Sequence, residues 1–497
     1  MPLLIGLDLG TTTLTALALD ADSGRVVRCV TRPNSCEITS AADKRRGRSE
    51  WDAAAIARLA CECLRDLASG IDPGDVAGLG VTGQQHGVVL VDDALTPLTP
   101  LINWQDRRGD EPKRLTTQTW VEAARERVGL AAHPRVGCRL SAGYVAVTLF
   151  WMANNGVLPR SATACFLMDY VTALLTGEPP STDPTCAASS GALDLKRLDW
   201  DDETLSALGL PREMFPPVVA SGTRLGGLTG PMAEATGLVE GLPVFVGVGD
   251  NQASFFGSVA DRAASVLVNV GTGGQVATWC SRARYDGRIE TRPFFDGYLL
   301  VSAGLSGGAA YAALERFFRA VGRDVLDVEP KGEVYESMNR LAAAVPAGAE
   351  GLSCEPFFSG TRYEPGLRAS WSGISLANLT PGHLTRALLE GMARAFAACG
   401  GRMAQLAGRT PTVLFGAGNG IRSNPLLVRI VAAAVGLSMW VPVHREESAF
   451  GAALLAGVGA GVISDLDEAG RRIVLSERVT MTDDVGYTSR HLAEGQP

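Results

Sequence analysis

The chain contains one short plan twice: an apolar strand, a glycine-threonine turn, and a second apolar strand. Residues 3–20 read LLIGLDLGTTTLTALALD, and residues 266–280 read VLVNVGTGGQVATWC. Apolar and β-branched residues on both sides of a turn that contains glycine predict a β-hairpin in each place. Because a repeated plan indicates repeated structure, the sequence predicts two related halves, each built around one hairpin.

Three further apolar runs end in polar residues. They are residues 76–87 (VAGLGVTGQQHG), 244–254 (VFVGVGDNQAS) and 412–420 (TVLFGAGNG). We predict buried strands that end in turns there, and ligand sites in α/β proteins gather at such strand ends. Apolar residues also recur with helical spacing over residues 53–68, and Ser49 with Asp52 resembles a capping box before that helix.

The length of the chain predicts more than one domain. At 497 residues it exceeds the size at which one hydrophobic core keeps growing, so two large domains are expected. The two hairpins place the boundary near residues 250–261. We therefore predict an N-terminal domain over residues 1–250 and a C-terminal domain over residues 251–497, with a ligand cleft between them.

Composition excludes several classes of function. The formal net charge is −8, whereas nucleic-acid surfaces need clustered Lys and Arg, so no nucleic-acid partner is expected. Apolar runs are broken well short of a membrane span, so no membrane association is expected. Ten cysteines without a CxxC pair predict mostly buried thiols, and the lack of a signal-peptide pattern predicts a cytoplasmic protein. A small-molecule partner fits these properties, and a homodimer is compatible with them.

Asp8 lies in the first predicted hairpin, shortly before the turn. A carboxylate beside a Gly-Thr turn can hold Mg²⁺ through water, while the N–H and hydroxyl groups of the turn receive phosphate oxygens. The alternative is a plain hairpin, because glycine-rich turns are common. The second turn, with Gly271, Thr272 and Gly273, offers a similar site. No GxxxxGK[ST] motif occurs, so phosphate would be held mainly by backbone, hydroxyls and metal rather than by a P-loop.

Several of these segments resemble a known family in order and spacing. GLDLGTT, VNVGTGGQV and LFGAGNG are similar to the two phosphate segments and the adenosine segment of the actin-like ATPase superfamily. TGQQHGVVLVD, LINWQDRR, GVGDNQASFFGSV and EESAFGAALLA resemble the FGGY carbohydrate kinases. This resemblance covers both halves. It implies an α/β fold of two actin-like (ribonuclease H-like) domains with a nucleotide and sugar cleft between them, and a kinase that uses ATP and Mg²⁺.

The resemblance implies a nucleotide site made of the two hairpin turns and a glycine-rich segment that packs against adenine and ribose. The implied residues are Gly10, Thr11, Thr12, Thr13, Gly271, Thr272, Gly273, Gly416, Ala417, Gly418, Asn419 and Asn424. For the segment from Gly416 onward, the alternative is a simple strand-to-helix turn. Asp8 and Asp250 are the implied metal-binding residues.

Asp250 follows the apolar run at residues 244–248 and matches the catalytic base of the family. In that role its carboxylate takes the proton from the attacking hydroxyl. The alternative is a helix cap, a frequent role for Asp. The two interpretations differ in what they predict for Asp250→Asn. A base variant folds and loses most turnover, whereas loss of a cap costs about 1 kcal/mol of stability.

The resemblance also implies a group of polar side chains that contact the sugar. They are Gln85, His86, Trp104, Asp106 and Asn251. A site built for hydroxyl groups suits a hydrophilic substrate, because it rejects analogues that lack them. Alternatives remain for some of these residues. A lone His is more often structural, and Trp104 can be a core aromatic residue. Asp106 can form an ion pair with Arg107 or Arg108.

Differences within the family indicate the substrate class. Glycerol kinases carry an Arg-Glu pair where this chain has Gln85 and His86, which disfavours glycerol. Xylulose kinases show a GQMHG-like segment with WND, whereas sedoheptulose kinases combine the patterns found here. We therefore expect phosphorylation of sedoheptulose at its terminal hydroxyl, with D-xylulose or another ketose or polyol as the alternative. An alternative of another class is an actin-fold ATPase or sugar sensor, which the joint presence of GVGDNQAS, GQQHG and NWQDRR disfavours.

Overall fold

The computed structural model describes residues 1–329, 332–361, 364 and 366–475. In chain order the strands are β1 (Leu3–Leu9), β2 (Thr13–Asp20), β3 (Val26–Pro33), β4 (Glu50–Trp51), β5 (Val76–Gly83), β6 (Val89–Val91), β7 (Leu101–Ile102), β8 (Thr163–Cys165), β9 (Leu193–Asp194), β10 (Asp199–Trp200), β11 (Arg224–Gly227), β12 (Pro243–Phe245), β13 (Val248–Gly249), β14 (Ser265–Val270), β15 (Gly273–Cys280), β16 (Glu290–Phe294), β17 (Gly297–Ser306), β18 (Ser353–Glu355), β19 (Ser370–Ser372), β20 (Val413–Ala417) and β21 (Met439–Trp440).

The α-helices are α1 (Ala41–Arg45), α2 (Ala53–Ala68), α3 (Trp120–Val128), α4 (Ala132–Val136), α5 (Val145–Asn154), α6 (Leu167–Thr176), α7 (Pro184–Ala188), α8 (Asp202–Leu208), α9 (Gly230–Thr236), α10 (Asp250–Ser258), α11 (Gly308–Ala320), α12 (Val334–Ala343), α13 (Pro381–Ala407), α14 (Asn419–Arg422), α15 (Pro425–Val435), α16 (Glu447–Gly459) and α17 (Leu466–Arg471). Short 3₁₀ turns lie at Pro73–Asp75, Arg108–Asp110, Arg212–Met214 and Ala349–Gly351, and a π-helical turn lies at Val321–Val325. None of the helices in the described ranges combines the length and apolar character that crossing a bilayer requires.

The chain divides into two compact units. The first contains Met1–Asp261, Cys280–Leu299 and Glu446–Val474. The second contains Arg262–Trp279, Leu300–Arg445 and, among the described residues, Leu475. The domains 1–250 and 251–497 stay a prediction, and the units differ from them in not being continuous. The main reason is that helix α16, although late in the chain, packs within the first unit.

The first unit is built on a sheet with the strand order β11-β12-β5-β1-β2-β3, and β13 also pairs with β5. Strands β1 and β2 are antiparallel, with Leu3 opposite Asp20 and Leu9 opposite Leu14. Strand β5 runs parallel to β1 and places Thr82 beside Asp8. The predicted first hairpin is therefore confirmed. Almost every side chain of β1 and β2 is buried, which explains why both strands read as continuous apolar runs.

The second unit repeats this local arrangement. Its sheet contains the strands β17, β15, β14, β20 and β21 in that order. Strands β14 and β15 form the second predicted hairpin, and β20 runs parallel to β14 as β5 does to β1. The prediction of two related halves is confirmed at the level of these three strands. In each unit the Gly-Thr turn directly follows the first strand of the hairpin, which is β1 in the first unit and β14 in the second.

Helix α2 occupies the predicted range, but its N-terminus is capped differently. Asp52 is the N-cap, and its side chain accepts the Ala55 N–H at 2.9 Å. Ser49 takes no part in the cap, because its N–H donates to Asp106 at 2.9 Å and its hydroxyl accepts from the Trp51 indole at 3.1 Å. The predicted capping box is wrong, since a buried network outside the helix uses Ser49.

Glycines allow helix α16 to lie against its neighbours in the first unit. A Cβ atom at Gly6 in β1 would lie 1.8 Å from the carbonyl oxygen of Ala449 in α16. A Cβ atom at Gly451 would lie 1.9 Å from the carbonyl oxygen of Ala253 in α10. Both distances are shorter than any tolerated contact, so the approach of these backbones requires glycine. The close approach positions α10, the helix that begins with Asp250.

We expect Gly451→Ala to lower the free energy of unfolding by about 2 kcal/mol, because the added methyl group overpacks a backbone contact. Gly401→Ala is the matched control, since Gly401 also lies inside a helix but has no atom within 4 Å of its Cβ position. Alanine is the better helix former by about 1 kcal/mol, so the control should be stabilised. Denaturant unfolding measures both variants, and equal stabilisation of both would contradict the packing.

Candidate active site

Asp250 is the first residue of helix α10, directly after strand β13. Its carboxylate accepts the N–H of Asn251 at 2.7 Å. Gly249 is the N-cap of the helix and Asp250 is its first residue, so the interpretation of Asp250 as the N-cap residue is wrong, although its carboxylate binds one N–H of the first turn. Burial raises the pKa of Asp250 to about 6, against the lowering effects of the Asn251 N–H and the Arg292 charge. A carboxylate with this pKa is mostly ionised at neutral pH and can still accept a proton.

Asp8 lies in β1, one residue before the strand ends. Burial, followed by the charges of Asp250 and Glu446, raises the pKa of Asp8 to about 8. One of its carboxylate oxygens, Oδ1, is buried and has no hydrogen-bond partner among the described residues. The first unit therefore concentrates three acidic side chains near one strand end, and no cation in the described part of the chain is among the charges that shift the pKa of Asp8.

This concentration of negative charge fits a divalent cation. Mg²⁺ prefers carboxylate oxygens and keeps several of its waters, so two carboxylates are enough protein ligands. No group of three or more His, Cys, Asp or Glu side chains in the described ranges is arranged to hold a metal ion. Water would therefore supply most of the coordination sphere. Asp8 and Asp250, the predicted metal-binding residues, are the side chains that would hold the ion.

The first hairpin turn is tied to the segment NWQDRR within the first unit. Thr11 donates its hydroxyl hydrogen to Gln84 at 3.1 Å and accepts from the Trp104 indole at 3.0 Å. Thr12 and Thr13 are exposed, and Gly10 precedes them in the turn. The predicted phosphate turn and one predicted sugar residue therefore share a hydrogen bond. Trp104 is 47% exposed, so its interpretation as a core aromatic residue is wrong.

Gln85 and His86 are held rigidly at the end of β5. The buried Gln85 amide donates to the Thr185 carbonyl at 2.8 Å. His86 has a left-handed backbone with φ 68°, an uncommon conformation for a residue other than glycine. Its N–H donates to the Ser189 hydroxyl at 3.1 Å, and its Nδ1 lies 2.6 Å from the Ser189 carbonyl oxygen. Because a carbonyl only accepts, Nδ1 carries the hydrogen.

Asp106 forms an ion pair with Arg108. Its side chain is 0% exposed. Its oxygens accept from the Arg108 N–H at 2.9 Å, from Arg108 Nε at 2.7 Å and Nη2 at 3.0 Å, and from the Ser49 N–H at 2.9 Å. This geometry favours the ion-pair alternative over a direct sugar contact. The sugar contact of Asp106 stays a prediction.

Asp106→Asn separates these two roles. We expect it to lower the free energy of unfolding by about 2 kcal/mol, because it removes the fully buried one of the two carboxylates that pair with Arg108 and leaves the partly exposed Glu50. The KM for sugar should change less than about twofold. Asp110→Asn is the control, since its pair with Arg107 is exposed and worth less than about 1 kcal/mol. A large rise in KM at unchanged stability would instead support the sugar contact.

Arg292, Thr185 and Ser448 lie near Asp250 and match none of the predicted site residues. Arg292 in β16 donates to the Asn251 side-chain oxygen at 3.2 Å. Thr185 accepts the Gly249 N–H at 2.8 Å, and its own hydroxyl donates to the buried Asp183 at 2.7 Å. Ser448 donates to the Asp250 carbonyl at 3.3 Å. A sequence signal for Arg292 is present, since ETRPF places Glu290 and Arg292 two residues apart and therefore on one face of a strand.

The second unit holds the other predicted nucleotide residues. In the turn between β14 and β15, the Gly271 N–H donates to the Gly273 carbonyl at 3.0 Å. The Gly271 and Thr272 carbonyls accept from Gly308 and Ala309, which begin α11, both at 2.9 Å. The turn is exposed at all three predicted positions. The N-terminus of α11 therefore fixes this turn. Thr272, which carries the hydroxyl group of the turn, is exposed.

The predicted adenosine segment runs from the end of β20 into α14. Gly416 and Ala417 end the strand, and Asn419 begins the helix. Gly418 has φ 82°, and a Cβ atom there would lie 2.5 Å from the Asn269 side-chain oxygen, so the position requires glycine. Asn424 is buried and accepts the Leu427 N–H at 3.0 Å as the N-cap of α15. The segment is a strand-to-helix turn, and its contact with a nucleotide stays a prediction.

Comparisons with known proteins agree on one family. Residues 3–257 match the N-terminal domain, and residues 293–460 the C-terminal domain, of the FGGY family of carbohydrate kinases. Autoinducer-2 kinase of Escherichia coli (strain K12) is 28% identical over 507 residues, which cover 97% of this chain and 90% of that protein. Xylulose kinase from Rhodospirillum rubrum is 29% identical, with a TM-score of 0.85 over 96% of this chain and 94% of that chain. Gluconate kinase from Lactobacillus acidophilus shares the fold at 21% identity, with a TM-score of 0.85 over 99% and 96%.

The fold and the acidic strand end define an actin-like phosphotransferase with two α/β domains, which confirms the predicted fold class. The chain belongs to the FGGY family of carbohydrate kinases. It is an ATP-dependent sugar kinase that uses Mg²⁺, so the predicted enzyme class and cofactors are confirmed. Its substrate is a small-molecule sugar.

Proposed function

We propose that this kinase transfers the γ-phosphoryl group of ATP to the terminal hydroxyl of a ketose, with Asp250 as the general base. The observation that carries the proposal is the Asp250 carboxylate itself. It stands at the start of α10, and burial raises its pKa to about 6. A base works best when its pKa lies near the working pH, because it is then ionised and still takes up a proton.

In the proposed reaction one bond forms, one bond breaks, and Asp250 receives the proton that is released. The sugar oxygen bonds to the γ-phosphorus, the bond from that phosphorus to the β,γ-bridging oxygen breaks, and ADP leaves. The hydroxyl proton passes to Asp250. In each unit the Gly-Thr turn offers N–H and hydroxyl groups to phosphate oxygens. Asp8 and Asp250 would hold Mg²⁺ through water, and the ion would supply positive charge that offsets the charge of the phosphates.

The substrate class rests on the polar residues at the end of β5. Gln85 and His86 stand where glycerol kinases carry an Arg-Glu pair, and both are fixed by hydrogen bonds. We propose sedoheptulose as the substrate, since the combination of GQQHG and NWQDRR favours it. Xylulose and autoinducer-2 are the alternatives that the names of the similar kinases supply.

A coupled assay of ADP release tests the proposal. Purified enzyme with MgATP receives sedoheptulose, D-xylulose, ribulose, fructose, autoinducer-2 or glycerol in separate reactions. We expect ADP release to require a ketose and to be highest, as kcat/KM, for sedoheptulose. A higher kcat/KM for another sugar would identify that sugar as the preferred substrate instead. ADP release that no sugar stimulates would contradict sugar phosphorylation. That last result would support the ATPase or sensor alternative.

The predicted location and assembly belong to the same proposal. We propose a cytoplasmic enzyme, because the reaction consumes ATP and its phosphorylated product is charged. We also propose a homodimer. Fractionation of the source cells tests the first proposal, and sedimentation velocity of the purified protein tests the second. A monomer at every concentration measured would contradict the dimer without affecting the chemistry.

A further inference from the structure

A buried ion pair lies beside the proposed base. Arg292 and Glu290, both in β16, are 9% and 3% exposed. Arg292 donates to Glu290 Oε2 from Nε at 3.1 Å and from Nη2 at 2.6 Å. The Tyr144 hydroxyl donates to the other oxygen, Oε1, at 3.1 Å. The Glu290 carboxylate therefore holds the guanidinium in one orientation.

The remaining arm of this guanidinium reaches Asn251. Arg292 Nη1 donates to Asn251 Oδ1 at 3.2 Å. A guanidinium has five donors and no acceptor, so it can donate only to the oxygen of the carboxamide. The amide of Asn251 is thereby fixed with its oxygen toward Arg292 and its two Nδ2 hydrogens on the opposite side. Without Arg292 the amide could turn over by rotation about χ2.

The same set of contacts extends from Tyr144 to His86, which is also predicted to bind sugar. The Tyr144 ring stacks on the His86 ring, with centroids 4.4 Å apart and planes 8° from parallel. His86 in turn is bonded to Ser189 through Nδ1. Tyr144 thus links the orientation of His86 to the Glu290–Arg292 pair. Two residues predicted to bind sugar are oriented by one continuous network within the first unit.

We propose that Arg292 is a specificity-determining positioning residue, which orients the Asn251 amide so that it donates hydrogen bonds to a sugar oxygen beside the attacking hydroxyl. The inference rests on the proposed function, since it assigns part of the same site. It also narrows the substrate. The sugar must carry an oxygen that accepts a hydrogen bond on the carbon next to the terminal one, and analogues without that oxygen should be rejected.

A double-mutant cycle tests whether Arg292 acts through Asn251. Arg292→Met, Asn251→Ala and the double variant are compared with wild type for kcat and KM on the best sugar of the panel. We expect each single variant to lower kcat/KM by about 10- to 100-fold, the range for a lost hydrogen bond to a substrate oxygen. The double variant should lose no more than the worse single variant, because both remove the same interaction.

Two further measurements separate positioning from folding. Arg135→Met is the matched control, because Arg135 also pairs with a buried carboxylate, Asp201, at 2.8 Å. Its kcat/KM should stay within about twofold of wild type. Wild type should also prefer the sugar over its analogue deoxygenated next to the terminal carbon, and Arg292→Met should lose that preference. If Arg292→Met does not fold, Asn251→Asp replaces it, since Asp keeps the contact with Arg292 and lacks the donors.

These experiments distinguish failure of the inference about Arg292 from failure of the proposed function. Additive effects in the cycle would overturn the inference, because Arg292 would then act independently of Asn251. Full discrimination against the deoxy analogue in Arg292→Met, or in its replacement, would overturn it as well. If wild type turns over none of the sugars, the proposed function fails and the inference fails with it.

Discussion

Asp250→Asn is expected to lower kcat by about a hundredfold to ten-thousandfold, the usual contribution of a general base. The change removes one acceptor of the sugar proton and leaves the shape of the side chain intact. The affinity for sugar, measured by titration calorimetry, should stay within about threefold of wild type. The apparent Tm should not fall, since burial already disfavours the charge of Asp250 and Asn carries none.

Asp52→Ala gives the reverse pattern and serves as control. Asp52 is the N-cap of α2, so its loss should cost about 1 kcal/mol of stability and leave kcat unchanged. The pH dependence adds a second check. Because Asp250 must be ionised to act, wild-type kcat/KM should fall as the pH drops through about 6, and the residual rate of Asp250→Asn should lack this fall. Unchanged turnover in Asp250→Asn would contradict its role.

Asp8→Asn is expected to abolish most activity while making the metal-free protein more stable. Activity should fall at least about a hundredfold, because the Mg²⁺ that offsets phosphate charge loses an anionic anchor. The stability change follows from the raised pKa of Asp8, about 8 against an ordinary value of 3.8. After allowance for partial solvent exposure, we expect a gain of about 1–3 kcal/mol at pH 8 without metal.

The sign of this effect depends on pH. A raised pKa means that the folded chain binds the Asp8 proton more tightly than the unfolded chain. The free energy of unfolding that this proton contributes is therefore complete below about pH 4 and is lost as pH rises through about 8. The gain from Asp8→Asn should therefore shrink toward pH 5. Asp20 in β2 is the control, because hydrogen bonds from Ser23 and Asp22 lower its pKa. Asp20→Asn should lose stability at pH 8, measured as apparent Tm in EDTA, and a lower Tm for Asp8→Asn would contradict the account.

Local pattern was enough to predict the elements that carry the site. Both hairpins, the strand at residues 76–83 and the helix at residues 53–68 follow from apolar periodicity and glycine turns, which act over a few residues. The strand end before Asp250 was predicted for the same reason. The cap of α2 was assigned incorrectly, because a distant residue, Asp106, binds the N–H of Ser49. The spacing of residues along the sequence gives no sign of that contact.

Contacts between distant segments explain the rest. Tyr144 and Glu290 lie 146 positions apart, and Arg292 and Asn251 lie 41 apart. Helix α16 packs in the first unit against Gly6 of β1, and its own Gly451 packs against α10. The small size of these glycines permits backbone contacts that no local sequence pattern specifies. The burial of Asp106 could not be predicted either, since WQD resembles a sugar-binding segment whether or not its carboxylate faces inward.

Transfer of label from ATP to sugar tests the central claim most directly. The enzyme is incubated with γ-³²P-labelled MgATP, with and without the preferred ketose, and the labelled products are separated. We expect the label in a sugar phosphate, in equal amount to the ADP formed, and almost none in inorganic phosphate. Label that appears as inorganic phosphate at the same rate with or without ketose would contradict phosphoryl transfer to a sugar.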